Sequence, residues 1–175
     1  MSSKVRSLTY GGVLAALYVA LTYAQNFLWP GSTSMMIQFR FSEALCVFAF
    51  LTPAAVPGLT VGCLLFNLSY AGALPFDWLV GTVATLLATA CMWGLRRVKW
   101  HGLPVAGLLM PAVWNAPLVG WELAYFLGEG GFTWPFFGLN ALYVFVGEAA
   151  VLLTLGSVLY GALIRRGLDK KLMNG

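Results

Sequence analysis

The segment RFSEALCVFAFLTPAAVPGLTVGCLLFN, residues 40–67, contains two hydrophobic runs joined by an uncharged turn. The turn, residues 53–58, holds two prolines and a glycine. Apolar runs joined by such a short turn predict a hairpin of two transmembrane helices. Arg40 and Glu43 open the segment and Asn67 closes it, so the polar residues of the hairpin are expected to lie at one end.

The composition is that of a membrane protein. Hydrophobic residues make up 60% of the chain and charged residues 9%, whereas soluble domains carry about 25% charged residues. The net charge of +4 does not indicate nucleic-acid binding, because the basic residues stand at the ends of apolar runs, as in membrane proteins. With three cysteines and one histidine, neither a disulfide framework nor a metal site is expected.

We therefore predict an all-α integral membrane protein with a single domain over residues 1–175. Its six predicted transmembrane helices are 8–28, 40–51, 57–70, 78–95, 103–127 and 134–164. The first run is too long for the core of a signal peptide, so it is expected to be a retained helix. With six helices, every Lys and Arg except Arg40 falls on one side, which the positive-inside rule makes cytoplasmic together with both termini.

This topology brings polar side chains from different helices together near the outer end of the bundle. The outer residues are Arg40, Glu43, Asn67, Asp77, Glu122 and Asn140, and the deeper ones are Asn115 and Glu148. An ionisable group inside a membrane is costly and marks a functional site by default. Trp78 and Trp121 lie at the same outer level, either as walls of a site or as part of the interfacial aromatic belt.

Each polar residue also has a structural interpretation. Arg40 and Glu43 are three positions apart and can pair with each other. Asp77 can act as the N-cap of the fourth helix. Glu122 has no Lys or Arg within a turn of helix, so it requires a distant partner, a ligand or a proton. Glu148 is interpreted as structural, with a hydrogen bond to an asparagine or to the backbone.

Small residues follow one another at a spacing of four along the first predicted helix, at Gly12, Ala16 and Ala20. Such a stripe allows another helix to approach closely. Taken alone, the spacing predicts packing within the protein. Gly58 and Gly62 form a second pair of this kind, and packing is again the expected role.

Four blocks of the sequence resemble the QueT family, whose members are substrate-binding S components of energy-coupling factor (ECF) transporters. The blocks are RFSEAL at 40–45, PAAVPGLTVGCLLFN at 53–67, DWLVGTVATLLA at 77–88 and PAVWNAPLVGWEL at 111–123. Their order and spacing extend the resemblance over about residues 5–165. The resemblance implies a six-helix bundle that binds a vitamin-like small molecule near the outer face of the lipid bilayer.

The resemblance also implies partners. S components dock through small residues of the first helix onto the transmembrane subunit EcfT, which is driven by two ECF ATPases. On this basis Gly12, Ala16 and Ala20 become the docking stripe, and the loop 29–38 becomes a gate over the site. The chain has no Gly-x-x-x-x-Gly-Lys-Ser/Thr motif, so ATP use is assigned to the partners. Neither enzymatic activity nor a cofactor is expected of the chain itself.

The QueT family is associated with queuosine precursors, which are 7-deazaguanine bases such as 7-aminomethyl-7-deazaguanine or queuine. A guanine-type edge offers adjacent N–H donors that one carboxylate can accept together. Glu122 is the candidate for that edge, and Asp77 or Glu43 for an aminomethyl cation. Amide contacts are assigned to Asn67, Asn115 and Asn140, and stacking on the flat base to Trp78 and Trp121.

Two alternative functions remain open at this point. The chain could be an S component for another vitamin. It could also be a small proton-coupled secondary carrier in which Glu122 and Glu148 titrate, although such carriers are commonly built from internal repeats and none is evident here. An intramembrane enzyme is less well supported, since neither His-x-x-x-His nor Gly-x-Ser-x-Gly occurs.

Overall fold

The computed structural model describes residues 2–32 and 38–168. The helices of this part are α1 (Ser3–Leu28), a 3-10 helix (Phe41–Phe50), α2 (Ala55–Ser69), α3 (Asp77–Leu95), α4 (Val105–Leu108), α5 (Met110–Leu127), α6 (Trp134–Val151), a π-helical turn (Leu152–Gly156) and α7 (Ser157–Arg165). No β-strand occurs among the described residues. The predicted all-α class is confirmed.

Three helical stretches are long and apolar enough to cross a membrane. They are Ser3–Leu28, Asp77–Leu95 and Trp134–Arg165, the last of which combines α6, the π-helical turn and α7. The helices Phe41–Phe50 and Ala55–Ser69 are apolar but shorter. The count of six transmembrane helices and the side of the membrane on which the termini lie therefore stay predictions. Two of the basic residues used for that orientation, Lys170 and Lys171, lie outside the described residues.

The structure corrects the predicted form of the second and fifth helices. The second is a 3-10 helix of 10 residues, which at about 2.0 Å per residue extends further than an α-helix of equal length. The fifth is predicted to run unbroken over residues 103–127. It is instead interrupted after Leu108, and Pro111 lies in the first turn of α5. Proline is well tolerated there because the first-turn N–H groups have no intrahelical partner.

The 3-10 helix lies in the middle of the bundle. It contacts α1, α2, α3, α6 and α7, and its residues Cys46, Val47 and Ala49 are fully buried. The other helices surround it in a series of neighbours, α1 with α2, α2 with α3, α3 with α5 and α5 with α6. The segment that opens the first predicted hairpin is therefore the centre of the fold.

Helices α1 and α2 approach each other at glycine and alanine. A Cβ atom on Gly58 would lie 2.6 Å from the Gly11 carbonyl oxygen, and one on Gly62 would lie 2.9 Å from the Ala15 carbonyl oxygen. Side chains larger than hydrogen cannot be accommodated at these two positions without separating the helices. The packing role predicted for Gly58 and Gly62 is confirmed.

Candidate functional site

A cavity of about 210 Å³ lies at one end of the bundle, where the 3-10 helix and α3 begin and α2 and α5 end. Its lining residues are Gln38, Arg40, Phe66, Asn67, Tyr70, Gly72, Leu74, Asp77, Leu123 and Leu127. We call it the Arg40–Asp77 cavity. Three residues that the sequence predicted for a site, Arg40, Asn67 and Asp77, come together in its wall.

Hydrogen bonds fix one wall of the Arg40–Asp77 cavity. The Asn67 side-chain amide donates to the Asp77 carbonyl oxygen at 2.9 Å, which connects α2 to the start of α3. The Asp77 carboxylate accepts from the Leu74 N–H at 2.6 Å. Phe76, not Asp77, occupies the N-cap position of α3, so the carboxylate stabilises the preceding turn instead of capping the helix. The predicted N-cap role of Asp77 is corrected accordingly.

Arg40 lies in a buried part of the cavity wall, with 6% of its surface exposed. A Cβ atom on Gly81 would be 3.9 Å from Arg40 Nη1 and 2.7 Å from the Asn67 amide nitrogen. Because Gly81 has no side chain, it makes room for the Arg40 and Asn67 side chains. The ionisable neighbours of the guanidinium include Tyr18 and Asp77, so one arginine connects the cavity to the centre of the bundle.

Glu43 lies deeper than the cavity and is fully buried. One carboxylate oxygen accepts from the Tyr18 hydroxyl at 2.6 Å, and the other accepts from the Cys46 thiol at 3.2 Å. Both oxygens of Glu43 are therefore engaged by groups within the protein. This arrangement connects the 3-10 helix to α1 and leaves Asp77 as the acid that faces the cavity.

Glu122 is fully buried on α5 and is not itself among the residues that line the Arg40–Asp77 cavity, although the next residue, Leu123, is. Neither carboxylate oxygen makes a hydrogen bond of good geometry to the described residues, although the Asp77 side chain and the Phe76 backbone lie nearby. Burying an acid without a partner is costly. Glu122 is thus a second acid next to Asp77, and its carboxylate is available to an additional partner.

Asn115 and Glu148 form a separate buried pair between α5 and α6. The Asn115 amide donates to a Glu148 carboxylate oxygen at 2.9 Å, which confirms the predicted hydrogen bond between Glu148 and an asparagine. The Asn140 amide donates to the Phe136 carbonyl oxygen of its own helix at 2.8 Å. None of these three residues is among those that line the Arg40–Asp77 cavity.

The aromatic rings in the cavity wall are not the tryptophans chosen from the sequence. Trp78 and Trp121 are 42% and 45% exposed on the outside of the bundle, which agrees with an interfacial belt. Phe66 and Tyr70 line the cavity instead, with stacked rings whose centroids are 5.1 Å apart. Tyr70 follows Asn67 by three residues, a spacing that places both on one side of a helix end.

Gln25 of α1 holds both ends of the loop predicted to be a gate. Its amide nitrogen donates to the Ser32 hydroxyl at 2.9 Å and to the Phe39 carbonyl oxygen, and its oxygen accepts from the Phe41 N–H at 2.8 Å. Residues 33–37 of the loop lie outside the described residues. Sequence reasoning missed Gln25, although a glutamine near the end of an apolar helix is itself a signal of a buried polar contact.

The predicted docking stripe of α1 faces away from the rest of the described chain. Gly12, Ala16 and Ala20 are exposed, and a Cβ atom on Gly12 would meet no described atom within 4 Å beyond its own stretch of α1. Internal packing uses the adjacent positions Gly11 and Ala15, which contact α2. The stripe is therefore a free surface of the described structure.

Comparison with known protein families gives a match that covers nearly the whole chain. The model of the QueT transporter family matches residues 8–165, a range that includes all of the residues lining the Arg40–Asp77 cavity. No curated protein and no solved structure matched the chain. Together with the long apolar helices, the family match assigns the chain to membranes and to transport. The chain belongs to the QueT transporter family.

Proposed function

We propose that this chain is the substrate-binding S component of an ECF-type importer that takes up a queuosine precursor. The substrate class is a 7-deazaguanine base, such as 7-aminomethyl-7-deazaguanine or queuine. The observation that carries the proposal is the Arg40–Asp77 cavity, which combines a buried arginine, an acid and a stacked aromatic pair at one end of an apolar bundle. Its volume of about 210 Å³ is below the range of about 300–1,000 Å³ for drug-sized ligands, which favours a small ring system.

The two adjacent acids suit a base that carries both a donor edge and a cation. A carboxylate can accept two neighbouring N–H groups of a guanine-type edge. Glu122 is the candidate for this contact, because neither of its oxygens makes a hydrogen bond of good geometry to the described residues. Asp77 in the cavity wall can pair with an aminomethyl cation. Glu43 is a weaker candidate for the cation because Tyr18 and Cys46 already occupy its oxygens.

Other residues of the same cavity wall can supply the remaining contacts to the base. Phe66 and Tyr70 offer ring faces for stacking on the base, and we assign this role to them in preference to the exposed Trp78 and Trp121. The carbonyl oxygen of a guanine-type edge requires a donor, and the Arg40 guanidinium supplies one within the cavity.

The proposal includes the partners and the orientation of an S component. The exposed Gly12, Ala16 and Ala20 dock onto EcfT, and two ECF ATPases supply the energy. The protein crosses the plasma membrane of a prokaryote six times, with both termini in the cytoplasm. Labelling of Lys99→Cys by an impermeant thiol reagent in intact cells would contradict this orientation, because Lys99 is exposed and belongs to a basic cluster.

Measuring whether uptake depends on ATP or on the proton gradient distinguishes the proposed function from that of a proton-coupled carrier. Uptake of the labelled base by cells that express the chain with EcfT and the ATPases is expected to stop when ATP is depleted. It is expected to continue when an uncoupler dissipates the proton gradient and ATP is maintained. A cell lacking the partner subunits is the control and should accumulate no base. Uptake that stops with the uncoupler alone would favour the carrier.

A further inference from the structure

A second cavity lies at the opposite end of α3 from the Arg40–Asp77 cavity. It has a volume of about 350 Å³ and is bounded by the end of the 3-10 helix, the loop that follows α3, and α7. Three cationic side chains line it, Arg96, Arg97 and Lys99, and its described lining residues include no acid. We call it the Arg96–Lys99 cavity.

Aromatic and backbone contacts hold two of these cations in place. The Arg96 guanidinium carbon lies 3.8 Å from the centre of the Trp93 ring, and Arg96 Nη1 donates to the Trp93 carbonyl oxygen at 2.6 Å. The Lys99 ammonium lies 5.9 Å from the centre of the Tyr160 ring. Such contacts orient a cation without neutralising it. The cavity therefore presents positive charge that a phosphate can pair with.

The other wall of the Arg96–Lys99 cavity is apolar. Phe50, Leu51 and Tyr160 are almost fully buried there, and the Phe50 and Tyr160 rings meet edge to face at 5.6 Å. On the outside of the same helix as Tyr160, Val158 is 71% exposed. A site with cations on one side and apolar surface on the other matches an amphiphile better than a free anion.

The loop beside Lys99 has the features of a membrane–water interface. Trp100 is 70% exposed and lies in a tight turn, in which it exchanges two backbone hydrogen bonds with Leu103, at 2.8 and 3.0 Å. Exposed tryptophans concentrate at the level of lipid headgroups. An exposed tryptophan next to Lys99 is the feature expected where a cavity meets lipid headgroups.

We propose that the Arg96–Lys99 cavity binds the headgroup phosphate of an anionic phospholipid, with the acyl chains leaving along the apolar surface of α7. Basic pockets between membrane helices bind anionic headgroups in this way. The occupant is a lipid and not an acidic protein surface, because Phe50, Leu51 and Tyr160 line the cavity next to the cations and favour an apolar group beside the charge.

Native mass spectrometry of the full chain in a mild detergent tests this proposal, with phosphatidylglycerol as the probe. The variant Arg97→Gln/Lys99→Gln removes two exposed cations of the cavity. Its affinity for phosphatidylglycerol is expected to fall by about tenfold or more, as for the loss of two headgroup contacts. Lys4→Gln/Arg6→Gln, which removes the same charge elsewhere, should bind as the unmodified chain does.

Three outcomes would overturn the lipid site. The first is an equal loss of affinity in both double variants, which would indicate a general effect of charge. The second is equal binding of phosphatidylcholine and phosphatidylglycerol. The third is displacement of phosphatidylglycerol by an equal concentration of glycerol phosphate, which would assign the cavity to a free anion. Unchanged circular dichroism of Arg97→Gln/Lys99→Gln serves as the control for folding.

Discussion

Uptake by cells is expected to fall to background in Ala16→Trp, while the purified variant still binds its ligand. Ala16 is exposed on the stripe that it shares with Gly12 and Ala20, and a Cβ atom on Gly12 would meet no described atom within 4 Å beyond its own stretch of α1. A tryptophan there projects into the space that EcfT would occupy. The Arg40–Asp77 cavity is lined by other elements, so binding should not change.

Two alanines of the same chain provide matched controls for Ala16→Trp. Ala90 is exposed on α3, so Ala90→Trp should retain both binding and uptake. Ala15 is buried against α2, where its carbonyl lies 2.9 Å from a Cβ position on Gly62. Ala15→Trp should therefore lose stability, by the 1–3 kcal/mol or so that overpacking typically costs. Normal uptake by Ala16→Trp, or binding lost together with uptake, would contradict the docking role of the stripe.

Replacement of Glu122 by glutamine is expected to weaken ligand binding by at least about tenfold, or ~1.4 kcal/mol. The carboxylate is fully buried, and neither oxygen makes a hydrogen bond of good geometry to the described residues. Glutamine keeps the shape but replaces one acceptor oxygen with an NH₂ donor, which opposes an N–H of the base edge. The protein should still fold, because no described hydrogen bond is lost.

Glu148→Gln is the matched control for Glu122→Gln. Both acids are fully buried and neither is among the residues that line the Arg40–Asp77 cavity. Glu148 is paired with Asn115, whereas Glu122 lies near Asp77 of the cavity wall. Its substitution should change the affinity for the base much less. Isothermal titration of both variants gives the comparison, and an unchanged affinity of Glu122→Gln would remove Glu122 from the binding site.

The sequence was sufficient to predict the all-α class and several helix boundaries. The fourth helix was predicted to begin after an Asp77 N-cap and to end at about Leu95. The structure has it from Asp77 to Leu95, close to the prediction because an acid and a basic cluster bound a clear apolar run. The 3-10 form of Phe41–Phe50 could not be predicted, since an apolar segment of that length has the same composition in either helical form. The break before Met110 depends on how Pro111 is placed, and proline is compatible with either a kink or a first turn.

Site residues at the ends of helices could be predicted from the sequence. Residues within helices could not, because the rotation of a helix about its axis decides whether a side chain faces the cavity. Arg40, Asn67 and Asp77 begin or end predicted helices on one side, and the structure brings them together. Trp78 and Trp121 have the right depth, but their helices turn them outward. The rotation of an apolar helix cannot be read from a sequence that is apolar on all faces.

The central claim is that the Arg40–Asp77 cavity binds a 7-deazaguanine base. Isothermal titration of the purified protein with 7-aminomethyl-7-deazaguanine tests it directly, with adenine as a control that lacks the guanine-type donor edge. We predict binding of the first base with a Kd of about 1 μM or tighter, a free energy of roughly −8 kcal/mol, and no binding of adenine. The absence of binding by 7-aminomethyl-7-deazaguanine and by queuine, or equal binding of adenine, would contradict the claim.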